Sequence, residues 1–242
     1  MPTAAHTLYD CPTPWADELY TEGRLTARQH TRLRRCETGI SEGVDHLAFH
    51  WEYARYAVER YDISSRNLVT LNWGCKPAPR RAEFSNPPRI VYHGSLGGRS
   101  PDLPLLSRLS KMYPHIDVYG GPQPDPALGL NYLGYAPPSV LEHYQLGLIT
   151  SEENETRLYG FSAKHPQYLA YGLPVLVPAA RRYLELLRGS VPYREETFLE
   201  IVEALSDEGE WLHVSDEAYA RAQRLAWDER LRPLEALLDE LR

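Results

Sequence analysis

The sequence predicts an α/β protein with a parallel sheet covered on both faces by helices, preceded by a smaller and incomplete α/β lobe. Three observations predict it. From Arg89 onward, strand-like and helix-like segments alternate, the pattern of a parallel sheet. Glycine clusters follow two of those strands, at Gly94–Gly98 and Gly120–Gly121. Lys76–Pro88, reading KPAPRRAEFSNPP, is polar and rich in proline, which marks a divider. The expected organisation is an N-terminal lobe over 1–76, a linker over 77–88 and a longer lobe over 89–242.

The elements are justified in order. Thr7–Tyr9 reads as a strand running into Asp10, and Thr26–Cys36 as a helix. His46–His50 is a strand, Glu52–Tyr61 a helix, and Leu68–Asn72 a strand. In the longer lobe Arg89–His93 is a strand. Asp102–Tyr113 is a helix with Leu103, Leu106, Leu109 and Met112 on one face. Ile116–Tyr119, Asn131–Leu133, Gly147–Thr150 and Pro174–Val177 follow as strands. Helices are expected at Ser139–Tyr144, Ser162–Tyr171, Arg181–Leu187, Glu195–Leu205, Asp216–Ala226 and Glu229–Leu241. Ligands of such sheets bind beyond the carboxyl ends of the strands. The loops Gly94–Ser100, Gly120–Pro124, Gly134–Pro137 and Ser151–Phe161 therefore form the expected site.

Composition narrows the function. The 242 residues are 43% hydrophobic and 24% charged, a globular profile. A formal net charge of −7 argues against a nucleic-acid partner, which calls for a basic face. Cys11, Cys36 and Cys75 form no Cys-x-x-Cys pair, and sparse, odd cysteines suit a reducing, cytoplasmic setting. No stretch reads as a signal peptide or a transmembrane segment. His-Glu-x-x-His and Asp-x-Asp are absent, so metal-dependent chemistry is not indicated and no cofactor is expected. Gly39-Ile-Ser41-Glu-Gly43 matches a hydrolase elbow in letters only, since no buried strand precedes it.

Five stretches in order carry a resemblance: Asn67–Pro77 (NLVTLNWGCKP), RIVYHGSLG from Arg89, Asn131–Tyr135 (NYLGY), Tyr159–Val177 (YGFSAKHPQYLAYGLPVLV) and Ala226–Arg230 (AWDER). Together they resemble the GT-B glycosyltransferases, in particular the retaining, family-4-like group. The resemblance implies a Rossmann-like donor-binding lobe over 89–242 with a C-terminal crossover helix, and a truncated acceptor lobe over 1–76. It implies transfer of a sugar from a UDP-, GDP- or dTDP-linked donor to an unidentified acceptor. The alternatives are a donor-binding subunit completed by another chain and a catalytically silent binding protein.

The candidate site follows from this. Glycines such as Gly94 let backbone N–H groups approach a diphosphate, with Ser95 and Leu96 in the same loop. Ser162 is expected to begin a helix whose N-terminus favours an anion, and Lys164 and Arg99 supply charge. Gly121 and Tyr135 complete the nucleotide side. Where the family carries Glu-x7-Glu, this chain has Tyr159 and Gln167, and Ser95 replaces a phosphate-binding Arg. Glu152, Glu153 and Glu155 are alternative carboxylates near Tyr159. Asp10 is the acceptor-side candidate, and Asp10 and Tyr159 are the catalytic candidates. Trp15, Tyr20, Phe49, Trp51, Tyr53, Tyr56 and Tyr61 give the N-terminal segment an aromatic surface through which a homodimer or partner chain is expected.

Overall fold

The computed structural model describes residues 6–11, 13–49, 56, 68–71, 73–97, 102–151, 162–179 and 188–241. They fall into two compact units, the first drawn from 1–73 and 227–241 and the second from 74–151 and 162–226.

In the first unit, β1 (Leu8–Cys11), β2 (His46–Phe49) and β3 (Leu68–Thr70) form a parallel sheet in that order, with Leu8 opposite His46 and Leu47 opposite Leu68. Cys11, Leu47, Phe49 and Tyr56 make its core. Two helices join β1 to β2. The first, α1 (Trp15–Thr21), escaped the sequence reading because Thr13 and Pro14 look like a turn. Pro14 offers no side-chain cap, and the N–H of Ala16 instead donates to Glu37 Oε1 at 3.1 Å. The second, α2 (Ala27–Gly43), opens on a capping box between Thr26 and Gln29. It runs seven residues past the expected end at Cys36, so Gly39–Gly43 is helical and Ser41 Oγ donates to Glu37 O. That backbone rules out a hydrolase elbow. Asp17 is buried and accepts from Tyr56 OH at 2.5 Å, with His30 Nε2 at 2.5 Å.

Glu37 reaches from α2 to the start of α1, and burial pushes its carboxyl above the ordinary range against the lowering effect of the Ala16 N–H. An acid whose folded pKa is raised is best tolerated protonated. Its stability contribution is present below the unfolded pKa and is lost as pH rises through the folded one. Ionised Glu37 therefore costs stability at neutral pH. Glu37→Gln, which keeps the acceptor oxygen, is expected to unfold at a higher temperature than the parent at pH 7. The advantage should vanish below about pH 4. A midpoint that is unchanged or lower at pH 7 would contradict this account.

The second unit carries a six-stranded parallel sheet in the order β6-β5-β4-β7-β8-β9. Its elements are β4 (Ile90–His93), α3 (Leu103–Met112), β5 (Ile116–Tyr119), β6 (Asn131–Tyr132), β7 (Leu146–Leu148), α4 (Lys164–Ala170), β8 (Val175–Pro178) and β9 (Ser190–Tyr193). Then come α5 (Phe198–Ala204) and α6 (Glu208–Arg224). Ser139–Tyr144, expected as a helix, lies largely in a 3-10 segment over Pro138–His143, and Glu195–Thr197 is 3-10 before α5. β9 is absent from the sequence reading because Ser190-Val-Pro-Tyr193 contains Pro192. At the sheet edge the missing N–H costs no ladder bond. α6 begins eight residues before the expected Asp216, where Asp207 caps it by accepting from the N–H of Glu210. The expected helix Glu52–Tyr61 falls mostly, and Arg181–Leu187 wholly, outside the described residues.

The core of this unit stacks Tyr92, Tyr144, Tyr168, Phe198 and Trp211, all at most 1% exposed, with the aliphatic strand residues. Trp211 satisfies its buried ring N–H on Gln145 O at 2.9 Å. Gly147 in β7 makes room for α4: a Cβ there would lie 2.5 Å from the Tyr168 ring. The proline-rich stretch is not a free linker. It belongs to the second unit, where Ala78 and Ala82 are buried and their N–H groups donate to Ala170 O and Tyr171 O. Conversely α7 (Trp227–Glu240) belongs to the first unit and packs on β3.

Candidate donor-binding site

In the six-stranded sheet the order reverses at β4, which has β5 on one side and β7 on the other. This is the arrangement of the doubly wound dinucleotide-type sheet, whose ligands sit outside the carboxyl ends at the reversal. Two loops meet there. Gly94 follows β4 with φ 153°, and Gly120 follows β5 with φ 139°. Gly94 N–H donates to Tyr119 O at 3.0 Å, and Leu96 N–H to Gly121 O at 3.0 Å. A Cβ on Gly120 would overlap the Gly94 carbonyl. These glycines therefore let two backbone loops touch.

This corrects one expectation. The N–H groups of Gly94 and Leu96 are spent on the neighbouring loop, and that of Gly97 reaches Ser95 Oγ at 3.3 Å, so they are not an open cradle. Leu96 is 4% exposed and anchors the loop in the core. Tyr92 OH donates to Ser95 O at 3.0 Å, fixing the loop from below. What faces the loop is a cation. Lys164 runs past Gly94, where a Cβ would overlap its Cε, and its Nζ lies 5.1 Å from the centre of the Tyr92 ring.

The expected helix at Ser162 begins instead at Lys164, with Ala163 in the cap position making no side-chain bond. α4 has seven residues, too short for a strong end dipole, so the positive potential here comes from the Lys164 ammonium. Ser162 lies outside the helix and its carbonyl accepts from His165 N–H. Gln167 is half-buried in α4. Gly121 stands in the second loop beside Leu96, but Tyr135 is 86% exposed. Asp10 lies in β1, one residue before its end, in the first unit and is exposed. Tyr159, Arg99, Glu152, Glu153 and Glu155 lie outside the described residues.

Three polar residues at the switch point stand outside the expected set of site residues. His93 ends β4, half-buried, with Nε2 2.9 Å from Ala136 O and its ring against Tyr119. Tyr168 OH accepts from His93 N–H at 2.8 Å and lies 3.3 Å from Leu148 O, tying β4 to β7 where the order reverses. Burial pushes its phenol well above the ordinary range, so it stays neutral. Thr150 is 2% exposed just after β7, and its hydroxyl has no hydrogen-bond partner among the described residues. The sequence signal for all three was weak: a His before Gly, a Tyr in an apolar helix face and a Thr after an apolar strand.

No protein-family model matches the chain, and no curated protein does. Solved structures do. The GtfA/B complex superposes with TM-score 0.63 at 16% identity, over 85% of this chain and 47% of that one. Sucrose-phosphate synthase from Thermosynechococcus elongatus gives 0.73 at 13% identity, over 97% of this chain and 67% of that one. HepE from Anabaena, solved with UDP and glucose, gives 0.69 at 13% identity, over 98% and 71%. Against GtfA/B and S. aureus TarM, the chain spans about half the length of the structures it matches. The chain is therefore similar in fold to GT-B glycosyltransferases, with a Rossmann-like parallel sheet in its larger unit.

Proposed function

We propose that this chain is a cytoplasmic glycosyltransferase that moves a sugar from a nucleoside-diphosphate sugar to an acceptor without a metal ion. One observation carries the reading: the Lys164 ammonium is laid over the glycine loop at the switch point of a Rossmann-ordered sheet. A departing diphosphate gains charge as the glycosidic bond breaks, and a fixed cation beside it stabilises that change. In this reading Ser95 orients the donor and Gln167 is the neutral partner for a ribose diol.

The HepE and TarM structures each hold UDP, which makes UDP the first probe. UDP at about 100 times its dissociation constant is expected to raise the stability of the chain by about 2.7 kcal/mol. Of UDP, GDP and dTDP, one should raise the thermal midpoint far more than the others. No shift with any of the three would end the donor-site reading.

A second reading is favoured by one feature: the sheet of the first unit has three strands among the described residues. In that reading the chain binds donor but needs a second copy or another protein to complete the acceptor side. Turnover by the purified chain alone separates the two.

A further inference from the structure

The strands of the second unit have another end. At their amino ends, opposite the glycine loops, lies a cavity of about 480 Å³ next to Arg89, which precedes β4, and Gln145, which precedes β7. Arg80, Arg81 and Arg89 line it. Arg89 Cζ lies over the Tyr144 ring, 4.6 Å from its centre, and the side chain is anchored through Nη2 to Asp117 at 2.7 Å and to Tyr144 OH. Arg81 lies on the Tyr219 ring at 5.0 Å and is anchored through Nη2 to Ser215 and Asp216. Among the described residues, Nε and Nη1 of both make no hydrogen bond, and Arg80 makes none.

The frame behind these guanidinium groups is rigid. Gln145, 4% exposed, accepts from Arg89 N–H at 2.9 Å, donates to Glu83 O at 2.8 Å and takes the Trp211 ring N–H on its carbonyl. Two guanidinium planes are thus fixed in orientation with donor edges unspent, the preorganisation that bidentate phosphate binding needs. The rest of the lining is different in character. Glu83, Glu142 and Ser85 add carboxylate and hydroxyl acceptors. They repel a bare polyanion and suit the hydroxyl groups of a sugar.

We infer that this cavity binds a phosphomonoester of a polyhydroxylated small molecule, a hexose phosphate in class, with phosphate on Arg80, Arg81 and Arg89 and hydroxyls on Glu83, Glu142 and Ser85. The volume is in the range of small-molecule sites. Because it lies at the opposite ends of the strands from Lys164, its occupant is an effector and not the sugar donor.

Calorimetric titration of the full chain with glucose 6-phosphate tests this. Saturable binding is expected, with inorganic phosphate and glucose each at least tenfold weaker. Arg80→Ala, at an exposed residue, should weaken glucose 6-phosphate at least fivefold, while Lys164→Ala should leave it unchanged. A shift of the Gln145 side-chain amide resonances on titration should accompany binding. Absence of binding up to about 10 mM, or equal affinity in Arg80→Ala, overturns the site. Loss in Lys164→Ala alone moves the phosphate to the glycine loops and also overturns it. Equal affinity for inorganic phosphate overturns the assignment of a sugar ester. None of these outcomes depends on UDP binding at the other end.

Discussion

Gly120→Ala is expected to destabilise the second unit by about 3 kcal/mol and to abolish nucleotide binding. Its φ of 139° is a region that side chains with a Cβ rarely adopt, and strain there costs about 1–3 kcal/mol. The added Cβ would also fall on the carbonyl oxygen and carbon of Gly94, backbone atoms that cannot rotate away. Overpacking of that kind adds roughly 1–3 kcal/mol. Neither loop has slack. Gly120 N–H donates to Gly134 O at 2.9 Å, and Gly120 O accepts from Tyr132 OH at 2.7 Å. For a unit of this size, about 3 kcal/mol lowers the thermal midpoint by roughly 6–12 °C. Gly121→Ala is the control: a Cβ there meets nothing within 4 Å, and φ is not positive. Similar midpoints for the two variants would refute the loop–loop account.

This pair of neighbours shows what the sequence could and could not say. The glycine cluster after β5 was legible as a special turn, and so was its place at a strand end. Which glycine is indispensable was not, because that depends on where the Gly94 carbonyl of another loop arrives. The strands and helices of the second unit were legible for a local reason. Val91, Leu109, Val118 and Leu176 follow the periods of their elements and all are buried. Elements settled by tertiary contact were missed or misjudged. Glu37 caps α1 from another helix, Pro192 is tolerated only at a sheet edge, and Lys76–Pro88 reads as a linker until Ala170 and Tyr171 take its N–H groups.

The site was legible in the same partial way. Charge and residue type picked out Lys164, and it does stand in the first turn of its helix, although that helix begins at Lys164 and not at Ser162. Backbone donors expected for a diphosphate turn out to hold two loops together. Tyr135, chosen for its place after β6, is in solvent, whereas His93 and Tyr168 carry the structural link between β4 and β7. Nothing in a linear pattern ranks a tyrosine inside an apolar helix face above one beside a glycine turn.

Lys164→Met is expected to weaken nucleoside-diphosphate binding by roughly 10- to 150-fold while leaving the fold in place. A hydrogen bond to a charged group is worth about 1.5–3 kcal/mol, and about 1.4 kcal/mol is a factor of ten. Methionine keeps an apolar stem beside Gly94 and over Tyr92, so the packing change is small and the charge is what disappears. The cation–π contact with Tyr92 is worth about 0.5–1 kcal/mol at a partly exposed site. Three readouts together isolate the charge. Affinity for UDP should fall, the thermal midpoint without ligand should change little, and the affinity of the parent should decline with salt more steeply than that of the variant. Affinity for uridine, which has no phosphate, should be the same in both. A variant that binds UDP as tightly as the parent, or that loses uridine and UDP in equal proportion, would show that the Lys164 ammonium does not meet the diphosphate.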